Sequence, residues 1–392
     1  MHERLTVATT LPDDAAMAAL AGRVWRPDQG GPSVVAIRNG DCVDITAVAA
    51  TMRDLCERPD AADITRQAPG QSLGRLDAIL ANTPEATRDA KKPWLLAPVD
   101  LQAIKAAGVT FARSMLERVI EEQAKGAPEK AEAIRGQVEK LLGGDLRKLK
   151  PGSAQALSLK QTLIEQGAWS QYLEVGIGED AEIFTKAQPM SAVGHGMEAG
   201  LHPRSTWNNP EPEVVLVVTS KGKIAGATLG NDVNLRDFEG RSALLLGRGK
   251  DNNASCALGP FIRLLDSDFG IEDLRSCAIT IEVHGDDGFA LHGASDLRKI
   301  SRDMLDLVSQ AINRHHQYPD GLMLFLGTMF APTQDRGQPG QGFTHHLGDV
   351  VTIHTSRLGT LENRVDHTDK IAPWTFGVAE LIANLAQRNL LS

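Results

Sequence analysis

Apolar and polar residues follow two rhythms along this chain. Up to about residue 93, short extended runs mix with helical ones. Pro32–Val43 predicts a hairpin, because Asn39-Gly40 separates two apolar runs and both residues tolerate positive φ. Ile45–Cys56 then has helical spacing. Thr83–Pro93 is polar and ends in Ala90-Lys91-Lys92-Pro93, which suits neither a buried strand nor a packed helix; it is expected to link two domains. Val99–Leu101 predicts a short strand. Phe111–Leu142 predicts helix, broken near Gly126-Ala127-Pro128, with Ile134, Val138, Leu141 and Leu142 recurring at helical spacing between Glu and Lys. A helical insertion is therefore expected over about 117–147, as a solvated helical hairpin or as a mobile cover.

From Tyr172 glycine and valine become frequent and short extended runs alternate with turns. Val214–Val218, Ile224–Leu229, Ile279–His284, Leu322–Gly327 and Val350–Thr355 are the clearest strands, with Lys221-Gly222-Lys223 turning between the first two. Asp296–His315 predicts an amphipathic helix with Leu297, Ile300, Met304, Leu307 and Val308 on one face, and Val378–Leu391 a closing helix. The pattern implies an α+β protein: a small α/β domain over 1–93 and a β-rich domain over 94–392.

A chain of 392 residues has room for both. Its 41 basic and 50 acidic residues leave a net charge of −9, which removes the electrostatic drive towards nucleic acid or an anionic membrane. Cys42, Cys56, Cys256 and Cys277 form no CxxC pair and imply reduced thiols. The first residues carry acids where a signal peptide needs an apolar run, and the longest apolar stretches, such as Leu322–Leu326, are far too short for a membrane span. A cytoplasmic protein is expected.

The informative chemistry lies in Trp207–Val218, WNNPEPEVVLVV. Side chains two apart on a strand share a face, so Glu211 and Glu213 project together, while Pro210 and Pro212 exclude helix. Adjacent carboxylates repel unless a cation or a proton lies between them. A hairpin across Lys221-Gly222 would return Asp232 towards the pair. Three converging carboxylates suit Mg²⁺ or Mn²⁺; a solvated strand face is the alternative.

Glu211-Pro212-Glu213, then Gly230-Asn231-Asp232 with Arg236-Asp237, Gly249-Lys250, Gly259-Pro260, Gly327-Thr328, Gly348-Asp349 and Gly359–Asn363 form an ordered series. Over roughly 94–392 it resembles the fumarylacetoacetate hydrolase family. The resemblance implies a mixed β-roll catalytic domain and a divalent metal, Mg²⁺ or Mn²⁺, on Glu211, Glu213 and Asp232. It also implies an active-site lysine at Lys250, a substrate-carboxylate contact at Thr328, and a homodimer or homotetramer. Many hydrolases of the family carry G-x-N-Y-x-x-H-x-x-E, whose His–Glu pair activates water. Here the stretch is Gly108–Glu117: Thr110 and Phe111 take the Asn-Tyr places, Ser114 takes the His place, and Glu117 remains. A serine cannot accept a proton near neutral pH as imidazole does, which disfavours hydrolysis unless a distant histidine such as His195 or His202 substitutes.

Tyr172–Ser191 resembles the family's sugar-acid dehydratase branch, with Phe184-Thr185-Lys186 its most widely shared part. Gly176 and Gly178 open no phosphate loop, and Gln188 and Met190 are set for either pocket lining or loop packing. The resemblance implies a lyase that dehydrates a 2-keto-3-deoxy-pentonate, a 2-keto sugar acid, to 2,5-dioxopentanoate. Ser114, Lys186 and Thr328 are then expected at the substrate, with Glu117 or Lys250 as the base that takes a C3 proton. Cleavage of acylpyruvates, isomerisation or decarboxylation of oxo-dienoates, and a non-catalytic sugar-acid-binding protein are the alternatives.

Overall fold

The computed structural model describes residues 5–125, 150–165, 169–337 and 339–391. The insertion expected over about 117–147 falls largely outside the described residues. The N-terminal strands are β1 Leu20–Arg26, β2 Gly31–Arg38, β3 Asp41–Asp44, β4 Gln71–Arg75 and β5 Trp94–Leu96. Then come β6 Ala103–Gly108, β7 Glu182–Ala187, β8 Glu198–Leu201, β9 Asn208–Asn209, β10 Pro212–Val218, β11 Ile224–Asp232, β12 Asn234–Leu235 and β13 Cys256–Leu264. The last are β14 Ala278–His284, β15 Ala290–Asp296, β16 Leu322–Phe325, β17 Val350–Thr355 and β18 Gly359–His367.

The larger sheet runs β4-β3-β2-β1-β13-β11-β10-β16-β6-β7, with β5 paired to β1. A five-stranded sheet, β15-β14-β17-β18-β8, packs against it. The fold is α+β with mixed sheets, since β16–β6 and β18–β8 are parallel pairs among antiparallel ones. Every residue of β10 is buried, and strand alternation sends its side chains to two cores. Val214, Leu216 and Val218 face Ile279, Ile281, Val351 and Ile353 of the smaller sheet. Val215 and Val217 share a core with Val34, Ala36 and the helix Met52–Glu57.

The Asn39-Gly40 hairpin forms, with both residues at positive φ, and β10–β11 turn at Gly222. Other expectations need correction. Val99–Leu101 is not a strand; Ala103–Gly108 is, although Lys105 and the small residues Ala106-Ala107-Gly108 mute the apolar signal. Ile45–Cys56 is helical only from Met52, where the Thr51 side chain accepts from the Asp54 N–H. Within Asp296–His315 the regular helix is only Met304–Ala311, and the closing helix stops at Gln387. The sheet also continues across residue 93, because β1 pairs with both β5 and β13.

Candidate active site

Glu213 lies on β10 and Glu211 just before it. The Glu211 N–H donates to Asn231 Oδ1 at 3.1 Å, and the Asp232 N–H donates to the Glu211 carbonyl at 3.0 Å. This clamp brings the end of β11 beside the pair. Glu211, Glu213 and Asp232 are all buried, and one carboxylate oxygen from each lies within 4.8 Å of the others.

The surrounding elements hold each group in place. The Gly327 N–H donates to Glu213 Oε2 at 2.7 Å. Gly327 has φ +101°, and a Cβ there would lie 2.0 Å from Thr110 Oγ1, so only glycine fits the turn. Thr110 braces that turn by donating to the Leu326 carbonyl at 2.6 Å. Lys250 Nζ donates to Glu211 Oε2 at 2.7 Å and Asp232 Oδ2 at 2.9 Å. Arg118, on the helix Ala112–Ala124, bridges Glu211 and Glu239 through short charge-assisted bonds.

These groups border a cavity of about 40 Å³, room for an ion with a water or two. Its wall includes Arg118, Glu182, Glu211, Glu213, Asp232 and Lys250, together with Thr328.

Sequence reasoning missed Glu182. Its residue pairs with Gly108 across β6–β7, and a Cβ at Gly108 would meet Glu182 Oε2 at 1.8 Å. The glycine therefore lets the carboxylate lie over the strand. A glycine facing an acid two residues before Phe184, on the side that Phe184 and Lys186 share, was the available signal.

Charge explains the strained acids. Glu182, Glu211, Glu213, Asp232 and Glu239 are five carboxylates against the three cations Arg118, Lys186 and Lys250, an imbalance of two negative charges. Burial, then repulsion from Asp232 and Glu211, pushes Glu213 well above the ordinary carboxylate range. Burial, then Glu239, raises Glu182 to about 7. Burial also works to raise Asp232, but Lys186 and Lys250 outweigh it and hold it low. Burial opposes the Lys250 ammonium, yet Asp232, Glu211 and Glu239 raise its pKa above the usual lysine value. Protons on Glu213 and Glu182 thus balance charge that a divalent cation would balance in their place. A hard, all-oxygen donor set with this deficit fits Mg²⁺.

Other expected residues are placed differently. Lys186 is fully buried and lies outside the cavity wall; Nζ is 2.8 Å from Asp232 Oδ1 and donates to the Lys250 carbonyl at 2.8 Å and the Val233 carbonyl at 3.3 Å. Its partners are thus Asp232 and two backbone carbonyls. Glu117 is buried on the Arg118 helix but does not line the cavity. Ser114 lies on the same helix, and its side chain is outside the described set. As held here, Lys250 carries its proton more firmly than an ordinary lysine. No histidine lines the cavity among the described residues. His195 accepts from the Glu362 N–H and bonds Thr10 Oγ1, and burial lowers its pKa to about 3, so it is a neutral structural group.

Residues 179–366 match the C-terminal domain of fumarylacetoacetate hydrolases. The chain carries a fumarylacetoacetate hydrolase family domain. It is 34% identical over 190 residues to a 2-dehydro-3-deoxy-D-arabinonate dehydratase of Saccharolobus solfataricus, covering 48% of this chain and 60% of that protein. Along 86% of the chain and 96% of the relative, it is 27% identical to a probable 2-keto-3-deoxyxylonate dehydratase of Haloferax volcanii. In fold it resembles a 2-keto-3-deoxyarabinonate dehydratase, with a TM-score of 0.62 at 22% identity over 88% of this chain and 98% of the other. A structure of 2-keto-3-deoxy-D-arabinonate dehydratase complexed with magnesium and 2,5-dioxopentanoate is similar at a TM-score of 0.61 and 22% identity, covering 89% of this chain and 99% of that one. No helix among the described residues is long and apolar enough to cross a membrane.

Proposed function

We propose that this protein is a Mg²⁺-dependent hydro-lyase that converts a 2-keto-3-deoxy-pentonate to 2,5-dioxopentanoate. One observation carries the reading: a buried carboxylate triad, short of positive charge, shares a cavity with Lys250, Glu182 and Thr328 and with no histidine among the described residues. The sugar-acid dehydratases among its relatives support the choice of substrate.

Glu211, Glu213 and Asp232 would hold the cation; Mn²⁺ shares the preference for such oxygens. When bound, a divalent cation polarises the C2 ketone of a 2-oxo acid and acidifies its C3 protons. The chain's own groups do the rest. Glu182 takes a proton from C3 and returns it to the departing C4 hydroxyl, which leaves as water; a group with a pKa near 7 is suited to both tasks. The unsaturated 5-hydroxy product then tautomerises: a proton moves from C5 to C3, and the resulting C4–C5 enol gives up its hydroxyl proton while C4 gains one, leaving the C5 aldehyde. Lys250, kept protonated, would face the negative oxygen that develops, and Thr328, on the cavity wall, would take the substrate carboxylate. Glu117, off the cavity wall, stands second to Glu182 as the base. A homodimer or homotetramer in the cytoplasm belongs to the same proposal; the four buried, unpaired cysteines agree with a reducing compartment.

The test is incubation with racemic 2-keto-3-deoxy-pentonate and Mg²⁺. Formation of 2,5-dioxopentanoate, lost with chelator and in Glu213→Gln, is expected. Pyruvate and glycolaldehyde instead, or no turnover, would overturn the reading.

A further inference from the structure

A second cavity of about 300 Å³ lies between the N-terminal strands and the segment 371–376. Three of the chain's five tryptophans line it, so its aromatic character is concentrated and not a matter of average composition. Trp25 and Trp94 face each other across β1–β5 and stack at 5.7 Å, and Phe376 meets Trp25 edge-on at 5.0 Å. Trp374 stands at the edge, 45% exposed, with its indole N–H donating to the Phe376 carbonyl at 2.9 Å.

Arg23 also lines this cavity, and its charge is poorly balanced. It is only 5% exposed. Nη1 donates to the carbonyls of Val99 and Ala97, but Nε stands 3.9 Å from Asp100. The Asp100 carboxylate already accepts from the N–H groups of Met52 at 2.6 Å, Leu101 at 2.7 Å and Arg53 at 3.1 Å. Nη2 meets only the Met190 thioether, at 3.8 Å, among the described residues. A buried guanidinium with so little compensation attracts an anion, and its flat fork matches a carboxylate. The other arginine of the wall, Arg88, lies 4.8 Å over Trp94 and shares its charge with Glu85 and Glu198. Those two acids would repel a second negative group.

We infer that this cavity is a second binding site, taking a small aromatic monocarboxylate whose ring packs against the indoles and whose carboxylate pairs with Arg23. The inference is independent of the catalytic reading.

Benzoate and its neutral isostere benzamide test it, with the full chain's tryptophan emission as readout. Saturable quenching by benzoate is expected, with benzamide at least tenfold weaker. Arg23→Met should erase that preference, and Trp374→Leu, at the exposed edge, should weaken benzoate severalfold even if the arginine variant does not fold. Lys250→Met should leave benzoate binding unchanged. Equal binding of the two probes, no saturation, indifference to Trp374→Leu, or loss of binding in Lys250→Met would each overturn the site. So would sedimentation showing that Trp374→Leu dissociates an oligomer, since the cavity would then be an interface between copies.

Discussion

Replacing Lys186 with methionine separates a brace from a substrate contact. Its ammonium is fully buried, 2.8 Å from Asp232 Oδ1, and two further hydrogen bonds tie it to the carbonyls of Lys250 and Val233. Methionine keeps the side-chain length but leaves a buried carboxylate with one cationic neighbour, Lys250, in place of two. Removing one partner of a buried ion pair costs about 3–5 kcal/mol, because the remaining charge stays desolvated. Here Lys250 retains part of the compensation, so the lower end, about 3 kcal/mol, is expected. Urea unfolding of metal-free protein measures it, as a lower midpoint at unchanged slope. Mg²⁺ should stabilise the variant more than the wild type, since added positive charge beside Asp232 restores what was removed. A variant within about 0.5 kcal/mol of wild type, the range of ordinary surface changes, with only a raised KM, would refute the brace and restore Lys186 as a substrate contact.

Two other perturbations test the neighbours. The raised Glu182 pKa means that the native state holds this proton more tightly than the unfolded chain. Metal-free stability should therefore fall as pH rises from about 4.5 to about 7, and Glu182→Gln should flatten that slope in thermal melts across the window. Gly327→Ala would place a methyl 2.0 Å from Thr110 Oγ1 at φ +101°, a backbone strain of about 1–3 kcal/mol before the clash is counted. A lower melting temperature and a smaller Mg²⁺-induced rise are expected, and an unchanged melt with and without Mg²⁺ would contradict the assigned role of the Gly327 turn.

Strand alternation and the turn at Lys221-Gly222 made the acidic triad legible, because both are local rules. The helical residues of the site were harder. Arg118 and Glu239 matter through contacts made between elements far apart in sequence, 121 residues for their own pair. Glu182 was only half legible: its place on the strand face of Phe184 and Lys186 is a local rule, but the glycine it lies over is 74 residues earlier. Lys186 was legible as important but not as a brace, since its ordered partners include two backbone carbonyls that no side-chain pattern reveals. The small α/β unit was legible as elements, yet nothing in Thr83–Pro93 announces that the sheet continues past it through β1 and β13.

The most direct measurement is calorimetric titration of Mg²⁺ into metal-free protein near pH 7, repeated in buffers of different ionisation enthalpy. Glu213 and Glu182 hold protons that the cation replaces, so one ion per chain should bind with release of about one proton or more, and Glu213→Gln should abolish both. Absence of saturable binding, or binding that releases no proton, would contradict a carboxylate centre built for a divalent ion.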